Sequence, residues 1–154
     1  MGSSVEVRYV QPGDREELAR LFTLYLNFYK SLDKVPATQF DLNFKRFLDP
    51  KERMWAAVAI DTSTGKHIGM VQWFHHTSTW EPEGCILLND LYVDEDSRLG
   101  GVGRALMEFV FSEGDKIGVG NVYWHTDTSN HRAQLLYTKV GYLSSQCRYV
   151  RNGY

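Results

Sequence analysis

The stretch best equipped to do chemistry is 88–106. Leu88-Asn89-Asp90-Leu91-Tyr92-Val93 leads into a polar corner, 94–97, and then into Arg98-Leu99-Gly100-Gly101-Val102-Gly103-Arg104-Ala105-Leu106. The pattern predicts a buried strand, a glycine turn and the start of a helix. A helix N-terminus leaves backbone N–H groups unpartnered, and such groups bind phosphate oxygens. Glycine lets a ligand approach the main chain and permits positive φ. Arg98 and Arg104 would add charge-assisted contacts to a diphosphate. A P-loop is excluded, since no Gly-Lys-Ser/Thr occurs in the chain. A dinucleotide fingerprint needs G-x-G-x-x-G, but Arg104-Ala105-Leu106 follows Gly103 without a third glycine. The form R-x-x-G-x-G is met by Arg98, Gly101 and Gly103. The competing reading is a turn whose glycines only let the helix pack closely on the strand.

A second segment runs Asn130-His131-Arg132-Ala133-Gln134-Leu135-Leu136-Tyr137-Thr138-Lys139-Val140-Gly141-Tyr142. Together the two segments resemble the GNAT superfamily of acetyl-coenzyme A-dependent N-acetyltransferases. That family pairs R-x-x-G-x-G with N-x-x-A-x-x-L-Y-x-K-x-G-[FY] in this order. The resemblance covers 86–142 and implies an α/β fold: a mixed, mostly antiparallel sheet of six to seven strands with about four helices. Two central parallel strands would splay apart where Leu91, Tyr92 and Val93 end the first of them. Acetyl-CoA would lie in that gap, its amides on the main chain of Leu91 and Val93. Its diphosphate would rest on Leu99, Gly100, Gly101, Val102, Gly103 and Arg104, with Asn130 and Ala133 facing its arm.

Amide formation poses two physical problems. An alkyl ammonium, with a pKa of about 10.4, is protonated at pH 7, and only the neutral amine attacks a thioester. The departing thiolate also needs a proton. The resemblance gives that task to Tyr137, whose phenol has an ordinary pKa of about 10; the alternative is a ring packed in the core. Asp90 is the candidate to receive the ammonium proton or anchor the cation, against the alternative of a satisfied strand carboxylate. Glu81 and Glu83 of the preceding loop are substitutes. Many polyamine-acetylating relatives carry two acidic residues where this chain has Asn89-Asp90, which speaks against a polyamine-specific site.

Further stretches narrow the resemblance. Arg46-Phe47-Leu48-Asp49-Pro50, Met54-Trp55-Ala56-Ala57-Val58-Ala59 and Gly153-Tyr154 resemble a fungal subgroup that acetylates histone lysines and polyamines, with a sister group acting on D-amino acids. The resemblance implies a homodimer formed partly through 147–154. A free amino acid would need a cation for its carboxylate, and Arg46 or Arg53 could serve. A coenzyme A-binding sensor without turnover is the alternative of another class.

The elements that must position these residues follow from periodicity. Val5, Val7 and Tyr9 alternate with charged residues as in a half-buried strand. Asp14 and Glu17 form a capping box that opens a helix, whose buried stripe is Leu18, Leu21, Phe22, Tyr25, Leu26 and Tyr29. A second helix is expected over 39–48. Strands are expected over 54–60, 67–75 and 85–93, the first two joined by a turn at 61–65. A helix over 102–117, a strand over 121–126, a helix from Asn130 to a Gly141 cap and a last strand over 142–150 complete the order.

Length and composition agree with one globular domain, and the resemblance makes it a single acetyltransferase domain over 1–154. Hydrophobic residues make up 43% and charged residues 23%, the ordinary globular range. The net charge of −2 argues against nucleic acid as a partner. Residues 31–96 hold 11 acidic and 6 basic side chains, and 97–154 hold 4 and 7, a split that suits a cationic amine on one side and a polyanion on the other. No apolar run spans a bilayer and no signal-peptide pattern opens the chain, so a cytoplasmic or nuclear protein off the membrane is expected. Cys85 and Cys147 read as buried thiols, and neither they nor the histidines have metal-ligand spacing.

Overall fold

Runs of apolar residues form the strands. In the computed structural model, which describes residues 4–97 and 100–154, these are β1 (Val5–Tyr9), β2 (Met54–Asp61), β3 (Lys66–His76), β4 (Cys85–Val93) and β5 (Val122–Tyr123). The helices are α1 (Arg15–Phe28), α2 (Ala37–Leu48), α3 (Val102–Lys116) and α4 (His131–Val140). One mixed sheet carries the order β1-β2-β3-β4-β5. Its first four strands pair antiparallel, while β4 and β5 are parallel and are joined by α3, the crossover a parallel pair requires.

Both faces of the sheet are covered, which is why β2 reads as an unbroken apolar run. Ala56, Val58 and Met70 meet Leu18, Leu21, Phe22 and Leu26 of α1 and Phe47 of α2. Ala57, Ala59, Val71 and Trp73 meet Leu106, Met107 and Val110 of α3, with Leu136, Tyr137 and Val140 of α4 at the margin. The start of α3 sits hard against β3. A Cβ on Gly69 would lie 3.1 Å from Leu106 and 3.3 Å from Val102. That close seat fixes where the glycine turn delivers the helix.

Several expectations need correcting. The sheet has five strands among the described residues, not six to seven, and its parallel pair lies at the edge, not the centre. The stretch 142–150 is not a strand: Tyr142, Leu143 and Tyr149 are exposed, because β5 spans two residues and offers this tail no ladder. Asp14 precedes α1, but its carboxylate does not cap it. Arg8, His67 and the Gln11 N–H bind that carboxylate, while Glu17 turns to Arg20. Gly141 is extended and not left-handed; what demands glycine there is Trp124, 2.9 Å from where a Cβ would stand. Cys85 is buried as expected, whereas Cys147 is exposed.

Candidate active site

The site begins with a fault in the β3–β4 ladder. Gln72 pairs with Asp90, yet the next residue, Trp73, pairs with Leu88, so Asn89 is an extra residue. A bulge of this kind shifts every later side chain to the opposite face. Ile86 and Leu88 pack with α3 before it, and Leu91 and Val93 pack there after it. Asp90 is thereby turned away from the α3 core and towards α1, where Tyr25 bonds it. Pairing with β5 also stops just before the bulge, at Leu87, so β4 runs on to Val93 without β5 beside it.

After β4 comes the turn. Gly101 has φ of +83°, the left-handed region that favours glycine, and accepts the Ala105 N–H through its carbonyl at 2.9 Å. Among the described residues no side chain caps α3. Gly100 faces open space, since a Cβ there would meet nothing within 4 Å. Gly103 does a different job: its Cβ would stand 3.1 Å from Leu136 and 3.7 Å from Val93, so it lets α3, α4 and the end of β4 converge. The close-packing reading therefore holds for Gly103, and open backbone for Gly100 and Gly101. Val102 is buried, and Arg104 lies on the surface bonded to Glu108 at 2.8 Å. Arg98 and Leu99 lie outside the described residues.

From the other side, α4 brings Asn130 and Tyr137. The Asn130 side chain caps the helix, accepting the Ala133 N–H at 3.2 Å, and its amide reaches the Tyr29 hydroxyl at 3.5 Å. Tyr137 meets Trp124 edge-on at 5.7 Å between ring centres. Burial and the nearby Tyr29 push its phenol up to about 12. Tyr25 and Tyr29 stand 5.0 Å apart between ring centres. Burial, followed by the charge of Asp90, raises the Tyr25 phenol well above its ordinary value. Three phenols and one carboxylate thus converge from α1, β4 and α4.

Asp90 is half-buried and differs from the buried aspartates. Asp14 is bound by Arg8 at 2.6 and 3.0 Å, and Asp94 by Arg20 and Lys66. Asp90 has only neutral donors among the described residues: Gln72 at 2.8 Å, Asn89 at 3.1 Å, and Tyr25. Burial raises its carboxyl, and these bonds offset the rise only in part. A carboxylate sequestered beside phenols with no cation of its own is suited to receive one. Of the loop candidates, Glu81 is engaged elsewhere, accepting from Asn121 at 2.6 Å. Arg53 is engaged with the His75 ring. Among the described residues no group of three or more His, Cys, Asp or Glu side chains is placed to hold a metal ion, and no helix is long and apolar enough to cross a membrane.

A model of the acetyltransferase (GNAT) family matches residues 17–142. The chain belongs to that family. It is an acetyl-CoA-dependent N-acetyltransferase. It is 44% identical over 150 residues to the D-amino-acid N-acetyltransferase HPA3 of Saccharomyces cerevisiae, an alignment covering 97% of this chain and 92% of that protein. It is 25% identical over 138 residues to the uncharacterized N-acetyltransferase YhfO of Bacillus subtilis, covering 90% and 89%. Among solved structures, the aminoglycoside N-acetyltransferase AAC(6')-Iy in complex with CoA superposes with a TM-score of 0.80 at 16% identity, covering 99% of this chain and 97% of that one. The observed features fit the GNAT cosubstrate: an uncapped α3, open space at Gly100 and an unaccompanied end of β4.

Sequence reasoning missed two features of this site. Gln72 looked like part of a strand, although one amide inside Met70-Val71-Gln72-Trp73-Phe74 is itself a signal that a buried partner exists. The bulge left no alternation to read, because 85–88 and 91–93 are unbroken apolar runs; its one trace is the polar pair Asn89-Asp90 between them.

Proposed function

We propose that this GNAT domain, spanning 1–154, transfers the acetyl group of acetyl-CoA directly to the primary amine of a small cationic substrate, with D-amino acids the first class to test. The observation that carries the reading is Asp90, bonded by Gln72, Asn89 and Tyr25 but by no cation. The bound cosubstrate would supply a thioester, an acyl carbon already activated towards amines. Asp90 anchors the incoming ammonium and takes up its proton, directly or through water, freeing the nitrogen lone pair. As the C–N bond forms and the C–S bond breaks, Tyr137 gives its hydroxyl proton to the departing sulfur, and the second proton shed by the nitrogen restores the Tyr137 phenol through water. A phenol pushed up to about 12 keeps that proton at neutral pH. The backbone from Gly100 to Arg104 and the free side of Leu91, Tyr92 and Val93 hold the polar length of the cosubstrate, with Asn130 and Ala133 opposite; Arg98 and Leu99 are the further contacts expected from the motif.

The D-amino-acid preference is supported by the 44% identical yeast relative of that name. Histone or other protein lysines and polyamines are the second reading, supported by the acidic excess over 31–96. The exposed stretch 147–154 is proposed to form a homodimer by pairing with a second copy, and light scattering checks the mass. Cytoplasm or nucleus is the proposed setting, tested by fractionation. The deciding experiment is thiol release from acetyl-CoA with D-amino acids, their L-enantiomers, spermidine and a lysine peptide. Turnover with the D-enantiomer above the others is expected. Tight acetyl-CoA binding with no turnover on any amine would mark a sensor instead.

A further inference from the structure

Gln72 lies on the central strand β3, is 3% exposed, and lines a small cavity with Leu18, Phe22, Phe40 and Phe47, where Asn43 and Arg15, itself paired with Asp41, are the other polar side chains. A buried amide there needs a reason, because an unpaired one costs about 1–3 kcal/mol. Its partner is the Asp90 carboxylate, directly across the ladder, with Nε2 2.8 Å from Oδ2. The bulge residue Asn89 donates to the same oxygen at 3.1 Å, and Tyr25 of α1 donates a third bond. The bulge is what lets these donors meet. In an unbulged ladder continued from Trp73–Leu88, Asp90 would share the face of Leu88 and Gln72 would pair with Asn89 instead.

We propose that Gln72 and Tyr25 are positioning residues, which aim the Asp90 carboxylate at the substrate's ammonium and keep it ionised without any cation of the protein's own. A lysine or arginine at 72 would stabilise the carboxylate more strongly, yet it would compete with the substrate for it. Neutral donors offset the loss of water and leave the negative charge uncancelled. The groups facing Asp90 are Gln72 of β3, Asn89 of β4 and Tyr25 of α1, with Tyr29 and Tyr137 beyond Tyr25. None of them carries a positive charge. The choice of amide and phenol therefore selects for cationic acceptors, and the inference rests on the reading of Asp90 as the amine's anchor.

The test is carbon-detected NMR titration of the Asp90 carboxyl in the full chain. Wild type is compared with Gln72→Met, which keeps the volume and removes the donor, and with Tyr25→Phe, the milder change. Each variant should raise the Asp90 midpoint by about one pH unit, roughly a tenfold change in proton affinity. The acid limb of kcat/KM should move by the same amount, with acetyl-CoA affinity unchanged. Midpoints equal to wild type in both folded variants would overturn the proposal. Raised midpoints in a protein that releases no thiol from acetyl-CoA would uphold the positioning role and defeat the acetyl-transfer reading instead.

Discussion

Asp14 is buried and Asp90 half-buried, and the protein treats them in opposite ways. Around Asp14, burial is outweighed by the bonds from Arg8, Gln11 and His67, which hold its carboxyl well below the usual range. Around Asp90, burial prevails over Gln72, Tyr25 and Asn89, and the carboxyl is raised. The signs of their contributions to stability therefore differ. Ionised Asp14 stabilises the fold above the unfolded value of about 3.9, and that stability is lost as pH falls through its folded value. Ionised Asp90 opposes folding, at a cost that appears as pH rises past about 3.9. One aspartate joins β1, β3 and the start of α1; the other, on the proposed reading, is left for a charge that arrives with the substrate.

This contrast can be broken in graded ways. Asp90→Asn should lower kcat/KM for amines by about 10²–10⁴-fold while leaving thermal stability at pH 7 equal or higher, checked by thiol release and melting. Tyr137→Phe should lower kcat by about 10²-fold with acetyl-CoA affinity unchanged by calorimetry; an equal loss of affinity would assign the ring to packing against Trp124. Asp14→Asn should do the reverse of Asp90→Asn, destabilising by about 3 kcal/mol in denaturant titrations at pH 7, since it strips Arg8 of its partner. Its destabilising effect should shrink below pH 4. Gly101→Val meets no steric neighbour, so its cost is conformational, roughly 1–2 kcal/mol at a φ of +83°. It should show as weaker acetyl-CoA binding.

The glycine turn and the surroundings of Asp90 were legible in the sequence to different degrees. Backbone geometry dictates residue type locally, so Gly101 before α3, Asn130 before α4 and the strand 85–93 could be read from neighbours in the chain. The acceptor side depends on contacts between residues far apart in sequence: Gln72 with Asp90, Asp90 with Tyr25, Asn130 with Tyr29. Tyr25 and Tyr29 fell on the buried stripe of α1, which periodicity alone assigns to the core. The tail failed for the opposite reason. Tyr142, Leu143, Tyr149 and Val150 suit a strand by residue type, but a strand needs a neighbour, and among the described residues none pairs with this stretch.

The most direct measurement is the pH dependence of kcat/KM for one amine in wild type and Asp90→Asn. Wild type should gain rate through an acid limb centred above about 3.9, the ordinary aspartate value. In Asp90→Asn that limb should vanish and the residual rate should be low, with acetyl-CoA affinity intact. The same limb in Asp90→Asn, at a rate within a few-fold of wild type, would contradict the assignment of Asp90 as the group that receives the amine.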